Sequence, residues 1–306
     1  HTYTVPGSFV ASLRVRDTTG LVSDPTTVLV NAGNTAPTVA ISAPSPTARF
    51  RVGQSVTVTG SAIDPEDGPL PGSALAWTVL LHHDQHVHPF LGPVTGASVD
   101  LTYPSPEDLA AAATSYLEVR LTATDRFGSS ATATLDLLPR KVDLVLTTSP
   151  SGLRLTVQSA GVTAPATVTS WEGYALAVDA PHQVDGSGDG RVFSSWSDAG
   201  AQAHVITTPA APATFTATFA PGPVLVVADT GVYEGDAGTR DAVFDVRVAG
   251  AATGAIGVDW ATQPGTAAPT DFQPGSGRIS FAPGTTRQEV RVAVFGDSLR
   301  EPNVDF

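Results

Sequence analysis

Short runs in which apolar and polar residues alternate, each stopped by glycine, proline, aspartate or serine, recur from one end of the chain to the other. In AVFDVRVAG (242–250) the apolar side chains fall at every second position, and SYLEVRLTATD (115–125), GRISFAPG (277–284) and QEVRVAVFGD (288–297) repeat the pattern. A period of two places one set of side chains on one face of an extended strand, so each run reads as a half-buried strand. Strands this short, punctuated this regularly, build sandwiches. With 29 glycines and 25 prolines among 306 residues, the chain has the turns that such folds need. The expectation is an all-β chain, a string of small antiparallel β-sandwich modules.

A walk along the chain divides it. SFVASLRVRD (8–17) and TTVLVNA (26–32) are strands of a first piece, 1–33, too few to hold a sandwich core, so the rest of that module is expected upstream. NTAPTV (34–39) links to a second unit, 36–140, with strands at 55–64, 74–83, 115–125 and 129–138. One segment there breaks the alternation. SPEDLAAAAT (105–114) offers Ser105 as a cap, Pro106 at the first helical position, Glu107 and Asp108 in the first turn, then alanines, and so predicts a short helix. PRKVD (139–143) leads into a third unit, 142–220, with strands at 152–158, 173–181, 191–198 and 214–220. PGP (221–223) precedes a fourth, 223–306, with strands at 224–235, 242–250, 256–262, 277–284 and 288–297.

Charge and composition exclude several roles. The formal net charge is −13 and no basic cluster is present, which argues against nucleic acid, whose phosphates need a basic face. The absence of cysteine rules out disulfides and thiolate sites. No apolar run reaches the ~18 residues of a membrane-spanning helix. GSGDG (186–190) lacks the strand–helix setting of a dinucleotide loop and reads as a hairpin turn. Ser194 and Ser195 are not flanked by the glycines of a nucleophile elbow, so Asp198 and His204 make only a weak triad with them. The chain is expected to be non-catalytic and to need no organic cofactor.

The ending of the first piece, HTYTVPGSFVASLRVRDTTG, resembles the end of a PKD domain. SALAWTVLLHHDQHVHPF, PSPEDLAAAATSYLEVRLTATD, VDLVLTTSPSGLRLTV and VFSSWSDAGAQAH, together spanning 36–220, resemble the C-terminal accessory region of actinobacterial PQQ-dependent sugar dehydrogenases of the glucose/sorbosone dehydrogenase family. That family's catalytic domain has no counterpart in this sequence, so its catalytic residues map nowhere. VYEGDAG, VDWATQPGTA, TDFQPGSGRISFAPG and VAVFGDSLREPNVDF, in that order, resemble a Calx-beta domain over 223–306, truncated before its final strand. The resemblances imply an accessory region of a secreted or cell-surface bacterial protein. Its modules act as spacers or as arms directed at polysaccharide or cell-surface glycan, with further domains of the same chain on either side and a sugar dehydrogenase domain upstream. The alternative they imply is a calcium-stiffened segment of a surface adhesin.

Four groups of residues are candidates for sites. Where Calx-beta domains bind calcium, this sequence supplies Glu234, Asp271, Asp297 and Glu301, with Val304 where an acidic residue often stands; Ca²⁺ takes six to eight oxygens, many of them carboxylates. IDPEDG (63–68) and TATDRFG (122–128) meet at one end of a PKD-like sandwich, so Asp64, Glu66, Asp67 and Asp125 form a second calcium candidate. Both sets are equally suited to holding turns through their backbone N–H groups. HHDQHVHP carries four of the seven histidines, His82, His83, His86 and His88. With a hairpin at Asp84-Gln85, His82 and His88 are expected on one side with His86 nearby, a set suited to Zn²⁺ or Cu²⁺, to sugar hydroxyls, or to backbone carbonyls of a polar hairpin. Among Trp171, Trp196 and Trp260, each a candidate for sugar stacking or for the core, Trp196 has the most turn-rich setting and is the carbohydrate candidate. A cryptic hydrolase or oxidase activity would rest on the histidines alone.

Overall fold

The computed structural model describes residues 1–299 and 302–306. Apart from two single 3₁₀ turns, at Gly72–Ala74 and Ala111–Ala113, every regular element among these residues is a strand. The chain forms two compact units. The first comprises His1–Leu144, Thr167–Leu176 and Ile206–Ala213, and the second Val145–Ala166, Ala177–Val205 and Thr214–Phe306.

The first unit opens with an antiparallel ribbon, Gly7–Leu13 against Thr26–Ala32, in the register Phe9↔Val30. Phe9 and Ala11 are half-buried while Val10 is exposed, but Leu13 and Val15, which the alternation puts on the face of Phe9, are exposed as well. A sandwich follows. One sheet holds Thr38–Ala43, Ser55–Asp64, Gly68–Pro69 and Ser98–Thr102; the other runs in the order Arg49–Phe50, Ser130–Pro139, Tyr116–Thr124, Leu75–His83 and His86–Thr95. Val58 and Leu101 from the first sheet share a core with Trp77, Val79, Val119 and Leu121 from the second. Gly60 lies where the sheets meet: a Cβ there would stand 2.4 Å from Leu121 Cδ2 and 2.8 Å from the Ala40 carbonyl oxygen. Trp171 completes the core, edge-on to Phe50 with ring centroids 5.5 Å apart, and its indole N–H donates to the Ala112 carbonyl at 2.7 Å.

The helix expected over 105–114 is not formed; only the 3₁₀ turn Ala111–Ala113 is. Asp108 Oδ1 accepts the Ala111 N–H at 2.7 Å, and the Ser115 hydroxyl donates back to the Ala111 carbonyl at 2.7 Å. These side chains close the turn at both ends, and Tyr116 then enters a strand. So short a segment gains too few backbone bonds to offset the cost of helix nucleation. Burial of Ala111 and Ala112 anchors the turn instead.

In the second unit, Arg154–Val157 pairs with Ala160–Thr163, and Gly190–Trp196 pairs with Gln183–Val184 and with Ala213–Pro221. GSGDG is therefore the hairpin turn that its composition suggested. Asp185 Oδ1 accepts the N–H groups of Ser187 and Asp189, and Oδ2 takes Arg191 Nε–H at 2.7 Å. The last strands form a three-stranded sheet, Val224–Val227, Gly238–Ala249 and Arg287–Gly296, and a pair, Ile256–Ala261 with Ser276–Phe281. Val246, Val248, Phe272, Phe281 and Val292 fill their core, and Phe306 stacks on Phe272. Where Pro221 hands over to Val224, Gly222 N–H donates to the Gly190 carbonyl at 3.1 Å. A Cβ on Gly190 would lie 2.1 Å from the Gly222 oxygen, and one on Gly250 2.4 Å from the same oxygen, so three glycines cross where no side chain fits. Among the described residues no helix is long and apolar enough to cross a membrane.

Candidate metal sites

The histidine segment forms the end of the hairpin Leu75–His83/His86–Thr95, with Asp84 at φ +45°, a left-handed conformation that aspartate tolerates. The register is Leu81↔His88, His82↔Val87 and His83↔His86. Opposed residues of an antiparallel pair share a face, and neighbours along a strand alternate. His83, His86 and His88 therefore share the face of Leu81, and His82 takes the other. This corrects the expected pairing of His82 with His88: the two-residue connection puts an odd step between them. His82 stacks on Tyr116 and places Nε2 2.8 Å from Glu118 Oε2. Bonding to Arg120, reinforced by His82, holds the Glu118 carboxyl below its ordinary range against the opposing effect of burial.

On the other face His83 Nε2 lies 3.0 Å from His88 Nε2 and 2.9 Å from Glu107 Oε2, and His88 Nε2 lies 4.0 Å from Glu107 Oε1. The rings of His83 and His88 are nearly parallel, 5.0 Å apart, and the His86 ring stands 5.6 Å from that of His83. Among the described residues, this is the group in which one ligand atom from each of three His, Asp or Glu side chains falls within 4.8 Å of the others. Sequence reasoning placed Glu107 in the first turn of a helix and missed it as a partner. What brings it there is a tie between the hairpin and the 105–114 segment: Thr114 Oγ1 donates to Asp84 Oδ1 at 2.9 Å and accepts the Asp84 N–H at 3.2 Å.

The acidic loops of the first sandwich do converge. Asp64 is 1% exposed; its Oδ1 accepts the N–H groups of Glu66 and Asp67. Asp125, also buried, accepts Phe127 and Ser129 N–H through Oδ1 and the Asn34 amide through Oδ2 at 2.7 Å. Thr35 binds both oxygens of Glu66, and Asp67 pairs with Arg126 at 2.9 Å. Hydrogen bonds thus tie the linker to the 64–67 and 125–129 loops. Four buried oxygens at these segments have no hydrogen-bond partner, Asp64 Oδ2, Asn34 Oδ1, Ser129 Oγ and Asp67 Oδ1, the last of which is ion-paired with Arg126. Asn34 and Ser129 were not among the sequence candidates, because neither type stands out in a turn-rich chain.

The set that the Calx-beta resemblance implies is drawn together only through the backbone. Phe295 N–H donates to the Asp271 carbonyl at 2.8 Å, and the Glu234 carbonyl oxygen lies 2.7 Å from where Gly296 would carry a Cβ, beside Asp297. The carboxylates themselves hold turns: Asp271 Oδ2 accepts Ala268 N–H at 2.7 Å and Asp297 Oδ1 accepts Leu299 N–H at 2.6 Å. Glu301 lies outside the described residues. Among the described residues, neither Glu234, Asp271 and Asp297 nor Asp64, Glu66, Asp67 and Asp125 bring three carboxylates within 4.8 Å of one another.

Trp196 is corrected as a carbohydrate platform. It is 3% exposed, its indole N–H donates to the Gln202 carbonyl, and His204 packs against it edge-on. Trp171 is likewise core, while Trp260 is half-buried with its ring beside Gly275 and Gly277. His204 Nδ1 lies 2.9 Å from the Ala201 carbonyl and Nε2 3.0 Å from Asp198 Oδ2. Both ring nitrogens face these acceptors, so neither is placed to take a proton from Ser194 or Ser195.

No curated protein sequence matches the chain. Among solved structures, a Ca²⁺-stabilized adhesin of an ice-binding Antarctic bacterium is similar at 16% identity and a TM-score of 0.20, over 95% of this chain and 74% of that one. A Salmonella alpha-2-macroglobulin mutant is similar at 10% identity and a TM-score of 0.25, over 95% of this chain and 23% of that one. An ICAM-5 ectodomain fragment is similar at 13% identity and a TM-score of 0.21, over 95% and 84%. At these scores the overlays bear on neither ligand nor activity. Residues 224–306, by contrast, match the family model of the Calx-beta domain.

Proposed function

We propose that this chain is a non-catalytic run of β-sandwich modules from a secreted or cell-surface protein, serving as a spacer that calcium stiffens where the 34–35 linker meets the first sandwich. The observation that carries the proposal is the unpartnered Asp64 Oδ2 in a residue 1% exposed, with Asn34 Oδ1 and Ser129 Oγ unpartnered on the segments tied to it. A buried carboxylate oxygen without a donor is costly unless a cation faces it. Oxygen donors alone, from carboxylates, an amide and a hydroxyl, are the set that Ca²⁺ prefers over softer metals. Side chains from the linker and from two loops around one ion would couple the linker to the sandwich. The net charge of −13 favours uptake of divalent cations and disfavours phosphate-bearing partners. An upstream sugar-oxidising domain and a glycan as the surface partner belong to the same proposal, on the strength of the resemblance across 36–220.

The test is scanning calorimetry of the chain in chelator and in excess Ca²⁺. At a hundredfold excess over Kd a ligand of the folded state adds about 2.7 kcal/mol, which for a unit of this size raises its melting temperature by about 5–10 °C. Asp64→Asn should abolish that rise. An unchanged melting profile in Ca²⁺ leaves an unstiffened spacer and removes calcium from the proposal.

A further inference from the structure

We propose that His83, His88 and Glu107 form a binding site for a divalent transition ion of borderline softness, Zn²⁺ foremost, at the tip of the 75–95 hairpin. The site is separate from the calcium proposal: it uses nitrogen donors, and none of its residues belongs to the acidic loops.

The spacing of the donor atoms is that of a zinc shell. Zinc bound about 2.0–2.1 Å from each of two imidazole nitrogens in a tetrahedron holds those nitrogens about 3.3 Å apart. His83 Nε2 and His88 Nε2 stand 3.0 Å apart, and Glu107 offers one oxygen 2.9 Å from the first and another 4.0 Å from the second. A shift of a few tenths of an ångström turns these contacts into the edges of a coordination tetrahedron.

The three groups also lack enough donors for one another. With both imidazoles neutral, a proton on His83 Nε2 has two acceptors within 3.0 Å, the His88 nitrogen and the Glu107 carboxylate. One N–H serves both poorly. A cation in the proton's place takes the lone pairs of all three groups, and the carboxylate offsets half of its charge.

The ligands are also held in place beforehand. Register alone puts positions 83, 86 and 88 on one face. The Thr114–Asp84 bonds clamp the hairpin tip to the segment that carries Glu107, and Lys141 Nζ, donating to the Ala113 carbonyl, holds that segment from its other end. On the opposite face the His82–Glu118–Arg120 chain fixes the strand that bears His83. His83 is 13% exposed while Glu107 and His88 are open to solvent, so an ion can enter from the water side. Two histidines and one carboxylate with a position to spare is a donor set that suits Zn²⁺ and Cu²⁺ and not Ca²⁺.

The experiment is isothermal titration of the whole chain, freed of metal, with Zn²⁺, comparing wild type with His83→Ala, His88→Ala and His82→Ala, each checked for its fold by circular dichroism and melting temperature. The expected result is one equivalent of zinc bound by the wild type and by His82→Ala with equal affinity. His83→Ala and His88→Ala should bind more than about 100-fold more weakly, beyond what loss of an outer-shell partner produces. His88 is exposed, so its replacement leaves the fold intact and keeps the test decisive even where His83→Ala is destabilised. Absence of binding by the wild type, unchanged affinity in His88→Ala, or equal loss in His82→Ala would overturn the proposal.

Discussion

Gly60 shows how little room single positions leave. With a Cβ placed 2.4 Å from Leu121 Cδ2, 2.8 Å from the Ala40 oxygen and 3.0 Å from the Trp77 ring, alanine there must push the sheets apart. Overpacking of a filled core costs about 1–3 kcal/mol, so Gly60→Ala should lower the unfolding free energy by that amount, read as a lower urea midpoint with the slope unchanged. At this scale the sequence was partly legible. The histidine cluster was visible from residue type alone, and the acidic loops from their spacing. Glu107, Asn34 and Ser129 were not, because what singles them out is a neighbour far along the chain: His83, Asp125 and the buried loop end. Trp196 was misjudged for the same reason, since turn residues around it said nothing of the Gln202 carbonyl that receives its N–H.

At the scale of elements, the strand pair Gly238–Ala249/Arg287–Gly296 carries an ionic ladder on its outer face, in which Asp245 binds both Arg247 and Arg287, and Arg291 reaches Asp241 and Glu289. The bonds from Arg247 and then Arg287 hold the Asp245 carboxyl below its ordinary value. A depressed folded-state pKa contributes stability above the unfolded value, about 3.9, and that contribution is lost as pH falls through the lowered value. Wild type should therefore exceed Asp245→Asn in melting temperature at neutral pH, with the gap closing below about pH 4 and narrowing in high salt. A gap that persists at pH 2 would assign the loss to packing instead. Of the strands that alternation marked, most lie within a residue or two of their expected bounds, since period-two burial is a local property, but the strand expected over 224–235 stops at Val227, and Ser98–Thr102, Ala166–Trp171 and Ala203–Thr207 were not marked at all. Lys141–Ser149 escaped notice although Val142, Leu144 and Leu146 are buried along it, because only Arg140 separates it from Ser130–Pro139. The chain passes there from one sheet to another across a single residue. The 105–114 segment erred the other way: the single 3₁₀ turn it forms is capped at Ala110 rather than Ser105, and Asp108, expected inside a first helical turn, accepts the Ala111 N–H ahead of it.

For the whole molecule the useful fact is that the sandwich core around Trp77 and the final core around Phe272 and Phe281 share no residue. Trp171→Ala should cost about 3–5 kcal/mol in the first and leave the second unmoved, seen as one calorimetric transition shifting while another stays in place. Phe272→Ala should do the reverse. A single transition that shifts with either variant would show the two cores to be one cooperative system. That Trp171 serves the core containing Phe50 was beyond a reading of local pattern, because contacts so distant in sequence leave no periodic trace. The crossing of Gly190, Gly222 and Gly250 carries a further consequence when the chain is put under tension. Only two residues separate Ala213–Pro221 from Val224–Val227, and one of them is already bonded to Gly190. Such a joint holds almost no slack, so a pull along the chain reaches the paired strands on either side at once, as load on a short link rather than as the unwinding of a tether.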